Sequence, residues 1–441
     1  MTERVTAAES EADQRRVAGA LYARGLRTGD RVAVVAGPSA TYLAVALGAL
    51  RSGVVPVLLN PALTAHEQAE LLADADPALV LRDDDLPALL DDSAPRGDLA
   101  PAPLARPMMY TSGTTGRPKG VWTGVLDDDD AAALVAEERE LWGFEPHDIH
   151  VVVSALHHSA PLRFASGTLL AGGDVVLLNG FSAQRWREVN ATHRPTSAFC
   201  APAHLQRLFD AGYGAPDELA SYRLVAHAGA PCPTPLKERT IDAFGRGAVW
   251  EFYGATEGQF TACSTDEWQA RPGTVGRARP GRRLTIEPDT GTIWCHVPRH
   301  GRFEYWRSPE KNAAAWRGDA FTVGDLGRLD DDGYLYLDGR RDDLIITGGV
   351  NVYPLEVERV LLDHPGVREV AVFALDDERW GQMVAAAIVG DVTDDDLSTF
   401  AAERLAPYKR PKRIVRVDAI PTTVTGKVRR SRLAEELGIK R

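Results

Sequence analysis

The chain has 441 residues, a net charge of −12 and 44% hydrophobic residues, which suits a globular protein built as a large domain plus a smaller one. Its acidity argues against nucleic acid or an anionic membrane as the main partner. The polar N-terminus TERVTAAESEADQRR has no apolar signal core, and the apolar stretch 32–59 is broken by Gly37, Pro38, Arg51 and Gly53, so neither a signal peptide nor a membrane span is expected.

In chain order, RVAVVAG (31–37) predicts a buried strand, TYLAVALGALRSG a helix ended by Gly53, and VVPVLLN a second strand. TAHEQAELLADADP predicts a helix with Thr64 as N-cap and Glu67 at capping-box spacing. ALVLR is the next strand, and the pattern returns at 173–178, 196–201, 222–228 and 248–252. Such alternation predicts an α/β fold of mostly parallel sheets covered by helices. From 274 to 338 short segments and turns such as DDDG (330–333) predict a β-rich subdomain. After GRRDD the chain restarts: a helix over Pro354–Leu362 with Pro in its first turn, strands REVAVFAL and MVAAAIVG, a helix in DDLSTFAAERLA and a strand in RIVRV. The expected organisation is a large domain 1–338, a hinge 339–342 and a small mobile α+β domain 343–441.

Cysteines at 200, 232, 263 and 295 form no CxxC pair, which fits buried free thiols in a reducing cytoplasm. The acidic runs 83–85, 127–130, 330–332 and 394–396 read as solvated loops and helix caps rather than metal sites.

One segment carries chemistry on its face: MYTSGTTGRPKG, residues 109–120. Backbone amides of a Gly/Ser/Thr loop approach phosphate oxygens closely, hydroxyls add donors, and Lys119 adds a cation. No Gly-Lys-Ser/Thr follows the glycines, so this is not a Walker loop. Taken alone, it serves equally as a polyphosphate cradle or a solvated surface loop.

TSGTTGRPKG resembles the phosphate loop of the adenylate-forming enzymes, the superfamily of acyl-CoA synthetases, luciferases and peptide-synthetase adenylation domains. Six further segments follow in the family's order: HHSAPLRFA (157–165), HAGAP (227–231), FYGATE (252–257), VGDLGRLDDDGYLYLDGRRDD (323–343), GGVNVYPLEVE (348–358) and PTTVTGKVRR (421–430). The resemblance implies attack of a carboxylate on the α-phosphate of ATP, release of pyrophosphate, and then displacement of AMP by a thiol. Charge builds on a phosphorane-like centre, so cations and oriented donors matter more than a general base.

The same resemblance implies residue roles. Thr111, Ser112, Gly113, Thr114, Thr115, Gly116 and Lys119 would hold the phosphates of ATP. Gly229, Ala230, Pro231 and Tyr253 would wall the adenine, and Asp325 and Arg340 would meet the ribose. Thr256 would bond the α-phosphate and Glu257 would hold Mg2+, an ion usually bound by one or two carboxylates plus phosphates. Lys427 would reach both the substrate carboxylate and the α-phosphate. His158 would position the carboxylate or gate the tunnel, with His157, Phe164, Ala228 and Gly254 in the acyl pocket. Asp342 matches the hinge, and Gly348 and Gly349 would line a thiol tunnel.

GGVNVYP is the form found in free-standing CoA ligases, and no carrier domain follows Lys427, so coenzyme A is the expected acceptor. Two other readings stay open. One is adenylation without CoA, either loading a separate carrier protein or activating nitrite for an aromatic amine. The other is a silent nucleotide-binding relative, against which the intact Lys119, Thr256, Glu257, Asp325, Arg340 and Lys427 stand. The chain also departs from the family: it is short before residue 20 and around 80–105, which predicts trimmed first strands. In DLIIT (343–347) Ile346 stands where a lysine is common. Arg163, odd in an apolar segment, faces either a polar substrate tail or solvent.

Overall fold

Strand–helix–strand units must cover both faces of a parallel sheet, and the chain does this twice. The computed structural model describes residues 2–90, 97–111, 118–340, 343–348, 350–377, 379–422 and 428–439. Its first sheet has six strands in the order 304–305, 119–122, 108–111, 55–58, 31–35, 79–82. The strands at 31–35, 55–58, 79–82 and 108–111 run parallel. The connecting helices are Ala40–Arg51 and Ala65–Ala75; the second begins with the capping box expected from Thr64 and Glu67.

The second sheet has eight strands in the order 2–5, 174–178, 149–152, 197–200, 224–227, 249–254, 259–264, 277–278. Its five central strands are parallel, with helices Ser159–Leu170, Ala183–His193, Pro202–Asp210 and Thr234–Phe244 in the crossovers. One continuous core joins the sheets. Val34 and Leu58 from the first and Val152 and Leu177 from the second are buried with Leu21, Leu43 and Leu162 of helices held between them.

The N-terminal segment is ordered into elements that the sequence analysis does not anticipate. Thr2–Val5 pairs antiparallel along Asp174–Leu178 and so covers a sheet edge. Helix Ala7–Ala23 follows, closed by a Thr6–Glu9 capping box. The β-rich part consists of a four-stranded sheet (283–286, 293–296, 320–321, 316–317) and a two-stranded one (325–329, 335–340).

From Ile345 onward the chain builds its own core. Beyond a register irregularity at Val367/Glu369, the hairpin Val367–Asp377/Gly381–Gly390 alternates: Val372, Ala386 and Ile388 face helices Pro354–Leu362 and Asp394–Arg404, whereas Ala371, Phe373 and Ala387 face helix Arg430–Glu436. That is the period of two that a two-sided sheet requires. The acidic runs sit at element ends: Asp127 caps helix Asp128–Trp142, and Asp394–Asp396 form the first turn of their helix, where carboxylates complement the helix dipole. All four cysteines are free, with Cys200, Cys263 and Cys295 buried. Among the described residues no helix is long and apolar enough to cross a membrane.

Candidate active site

Three parallel strands of the eight-stranded sheet, 149–152, 224–227 and 249–254, release their chains at one carboxyl edge. His157–His158, Gly229–Pro231 and Tyr253–Glu257 all leave from that edge, the place where sheets of this type bind ligands. Gly229 has φ +93° and, with Pro231, is exposed.

The strand Val249–Gly254 reverses into Gln259–Ser264 with a register irregularity at Tyr253/Gly254. A Cβ on Gly254 would stand 2.8 Å from the carbonyl oxygen of Gly258, and one on Gly258 would stand 2.8 Å from the Phe321 ring. Glycine at both positions lets the turn close. This turn carries Thr256, half-buried, and Glu257, 6% exposed. The Glu257 carboxylate accepts a 2.8 Å hydrogen bond from the Tyr305 hydroxyl, and its carbonyl oxygen accepts one of 3.2 Å from Arg106. Burial, then the charge of Glu257, pushes the Tyr305 phenol well above its usual pKa, so the hydroxyl stays a donor.

Asp325 lies across from Arg340 in the two-stranded sheet. Arg340 Nε donates to its Oδ1 at 2.9 Å, and the Tyr253 hydroxyl donates to its Oδ2 at 2.5 Å. Burial and then Asp325 raise the pKa of Tyr253, and the same carboxylate is the main reason Arg340 is raised. In the six-stranded sheet, Thr111 opposes Lys119, and Lys119 Nζ lies 4.8 Å from the Tyr305 ring centre. Tyr305 thus touches both Glu257 and Lys119, joining the two sheets' contributions. Among the described residues no group of three His, Cys, Asp or Glu could hold a metal alone. A cation beside Glu257 would therefore need phosphate oxygens as further ligands.

His158 forms the extended N-cap position of helix Ser159–Leu170, its ring centre 4.3 Å from that of His157. Burial, then His158, pushes His157 down to about 3, so it is neutral near pH 7. Phe164 and Ala228 are buried in an aromatic core with Trp142, Phe199 and Phe252. One residue before Phe164, Arg163 lines a cavity of about 190 Å³ that also receives Thr256, Ser159, Leu162, Met109 and Val121. Gly348, φ +58°, turns between strands Ile345–Thr347 and Val350–Val352 in the C-terminal unit. Ser112, Gly113, Thr114, Thr115, Gly116, Asp342, Gly349 and Lys427 lie outside the described residues.

Sequence reasoning missed Tyr305 and the arginines Arg106, Arg279 and Arg282. Arg106 stands just before the 109–120 segment but outside it, Tyr305, Arg279 and Arg282 come from between the motifs, and FEYW (303–306) has no periodic or motif signal of its own.

The family model described as AMP-binding enzyme matches residues 1–294, and that of the AMP-binding enzyme C-terminal domain matches residues 356–427. The long-chain-fatty-acid–CoA ligase FadD13 of Mycobacterium tuberculosis is 30% identical, over 98% of this chain and 93% of its own. The fatty acid–acyl-carrier-protein ligase ScoC of Streptomyces coeruleorubidus is 31% identical, over 96% and 90%. Among solved structures, O-succinylbenzoate coenzyme A synthetase (MenE) from Bacillus subtilis, in complex with ATP and magnesium ion, superposes with a TM-score of 0.84. It is 28% identical, over 97% of this chain and 94% of that one.

Proposed function

We propose, from the premise that the chain belongs to the AMP-binding enzyme family, that it is an ATP-dependent carboxylate–thiol ligase forming AMP. One observation carries the reading: the paired cradle Tyr253–Asp325–Arg340 stands one turn away from Thr256 and Glu257. In the first half-reaction a carboxylate oxygen bonds to the α-phosphorus and the bond to the leaving pyrophosphate breaks. In the second, a thiol sulfur bonds to the acyl carbon and AMP leaves with the electron pair of the broken C–O bond.

Asp325 supplies acceptors for the ribose hydroxyls. A carboxylate has about four lone-pair sites, and Arg340 and Tyr253 each take one. Thr256 offers a hydroxyl to the α-phosphate. Glu257, buried and kept in place by Tyr305, would hold Mg2+, which when bound offsets phosphate charge. Lys119 adds a cation beside the loop. Lys427, in the C-terminal PTTVTGKVRR segment, is assigned to the carboxylate and α-phosphate through the family resemblance. Neutral His157 adds no charge at the carboxylate entrance, which suits a reaction that needs no general base.

Coenzyme A is the acceptor we assign, supported by the GGVNVYP segment and by a CoA ligase among the relatives. The acyl-carrier-protein ligase at equal similarity keeps a separate carrier protein as the competing acceptor. The test is ATP–pyrophosphate exchange across a panel of acids, then AMP release with CoA, with a carrier protein, or with neither. Exchange with an acid followed by CoA-dependent AMP release is expected. No exchange with any acid would refute adenylation of a carboxylate, and turnover only with nitrite and an aromatic amine would replace it.

A further inference from the structure

Transfer of a charged group into a protein interior is costly unless the group finds partners. The cavity that receives Thr256 tests this rule with four arginines. Arg106, Arg163, Arg279 and Arg282 line it together with Glu138 and Gln259. Glu138 is shared: Arg279 donates to one oxygen at 2.8 Å, and Arg163 and Trp142 meet the other at 3.1 Å. Arg282 pairs with Glu137 at 3.0 Å. Arg106 reaches only the carbonyl oxygens of Glu257 and Arg302. Three carboxylates, Glu137, Glu138 and Glu257, whose charge acts on Arg106, therefore accompany four guanidinium groups.

The hydrogen-bond account points the same way. Among the described residues, eleven buried side-chain nitrogen or oxygen atoms have no hydrogen-bond partner, and six of them belong to Arg106, Arg163, Arg279 and Gln259. All six are nitrogens. The Arg279 side chain is 3% exposed and that of Arg282 6%. Burial lowers Arg106 and Arg163 to about 10, so both stay charged near pH 7. Leu162, Met109 and Val121 supply apolar surface in the same cavity.

We infer that this cavity recognises the second anionic group of the acid: the substrate is a compact dicarboxylate, activated at one carboxylate while Arg163 and Arg279 take the other. The assignment rests on the acid-adenylating reading and narrows it. A ligand carboxylate supplies acceptors for the wall's remaining unbonded donors and balances its surplus charge. The apolar residues accommodate a short linker. The volume of about 190 Å³ compares with the ~150 Å³ that accommodates benzene, which admits a short or single-ring diacid.

The test measures ATP–pyrophosphate exchange with succinate, glutarate, adipate and terephthalate against butyrate, valerate, hexanoate and benzoate. Wild type should favour at least one diacid over its matched monoacid by ~100-fold in kcat/KM, because a site built to bond a polar group rejects the analogue lacking it. In Arg163→Leu the ratio should fall to about five or less, with the monoacid rate retained or increased, a gain that misfolding cannot produce. A wild type that prefers monoacids at every length, or an Arg163→Leu ratio equal to that of wild type, overturns the assignment and leaves the ligase reading intact. If no acid supports exchange, the ligase reading fails, and calorimetric titration of the same acids still decides the cavity's preference. There, tighter binding of a diacid that Arg163→Leu abolishes supports it, and equal binding of diacid and monoacid refutes it.

Discussion

Arg430 stands three residues after Lys427 and is the anchor of that segment. Its Nη2 donates to both Glu358 oxygens, at 2.7 and 2.8 Å, and its Nη1 to Asp343 at 3.0 Å. Arg430 and Glu358 side chains are only 17% and 8% exposed. Glu358 Oε1 also accepts the backbone N–H of Val372 at 2.7 Å. Arg430→Met would leave a buried carboxylate with no counter-ion, a change that costs ~3–5 kcal/mol in such pairs. Because the Val372 amide still serves Glu358, the lower end applies, ~3 kcal/mol or about 150-fold in the opening equilibrium of the C-terminal unit. Adding Glu358→Gln removes the stranded charge yet keeps an acceptor for Val372, so the double variant should recover most of the loss. Protection from hydrogen exchange over residues 367–377 reads the opening, and pyrophosphate exchange reads delivery of Lys427; both should fall in the single variant and rise in the double. A single variant within about 1 kcal/mol of wild type, or a double variant no better than the single, refutes the assignment of Arg430 as anchor.

Tyr305→Phe deletes the donor to the buried Glu257 carboxylate, a charge-assisted bond typically worth ~1.5–3 kcal/mol. Thermal stability should drop and the Mg·ATP concentration for half-maximal exchange should rise; an unchanged Mg·ATP dependence would show that Tyr305 does not set Glu257. Lys427→Ala should abolish adenylation, read as pyrophosphate exchange, while circular dichroism stays native; undiminished exchange rejects the residue's role. Burial holds His150 and His157 at about 3 and His204 and His227 at about 4, below the ~6.5 of an unfolded histidine. Between ~pH 4 and 6.5 the unfolded chain therefore binds more protons, so stability rises with pH in that window and is lost on acidification, by up to ~1.4 kcal/mol per pH unit for each group. Urea midpoints measured from pH 4.5 to 7.5 test this, and a flat profile below pH 6.5 contradicts it.

Regular alternation made much of the fold legible. The strand–helix repeats between 31 and 82 and between 173 and 252 fall where the sequence puts them, because a buried strand and an amphipathic helix each write a local pattern. The helix Pro354–Leu362 begins and ends as expected. Thr2–Val5 was hidden, since TERV is polar and becomes a strand by pairing with an edge 170 residues away. The acid cavity was hidden for a related reason: Arg106, Arg163 and Arg279 meet only after the two sheets and the β-rich part pack. Even within one helix the faces matter. Phe164 and Arg163 are neighbours, and a helix turns roughly 100° per residue, so Phe164 enters the aromatic core while Arg163 reaches the cavity.

The two halves of the site differ in how much of their bonding is complete. Asp325 already has a partner on each oxygen, and Glu257 has Tyr305; these two carboxylates are placed in folding, and the cost of placing them does not fall on binding. The cavity wall instead holds unmatched donors, so its bonding is completed by the acid. Discrimination between acids should then reside in the wall and not in the cradle. Tyr253→Phe removes one donor from Asp325 and should raise the ATP concentration for half-maximal exchange by about tenfold, for a bond of ~1.4 kcal/mol, equally for every acid. Arg279→Met should reorder the acids while leaving that ATP concentration within about twofold. Pyrophosphate exchange measured as a grid of ATP against two acids, for both variants, separates the effects. A Tyr253→Phe effect that depends on the acid would mean that ribose cradle and acid cavity act as one unit, and the separation argued from their hydrogen bonds would be wrong.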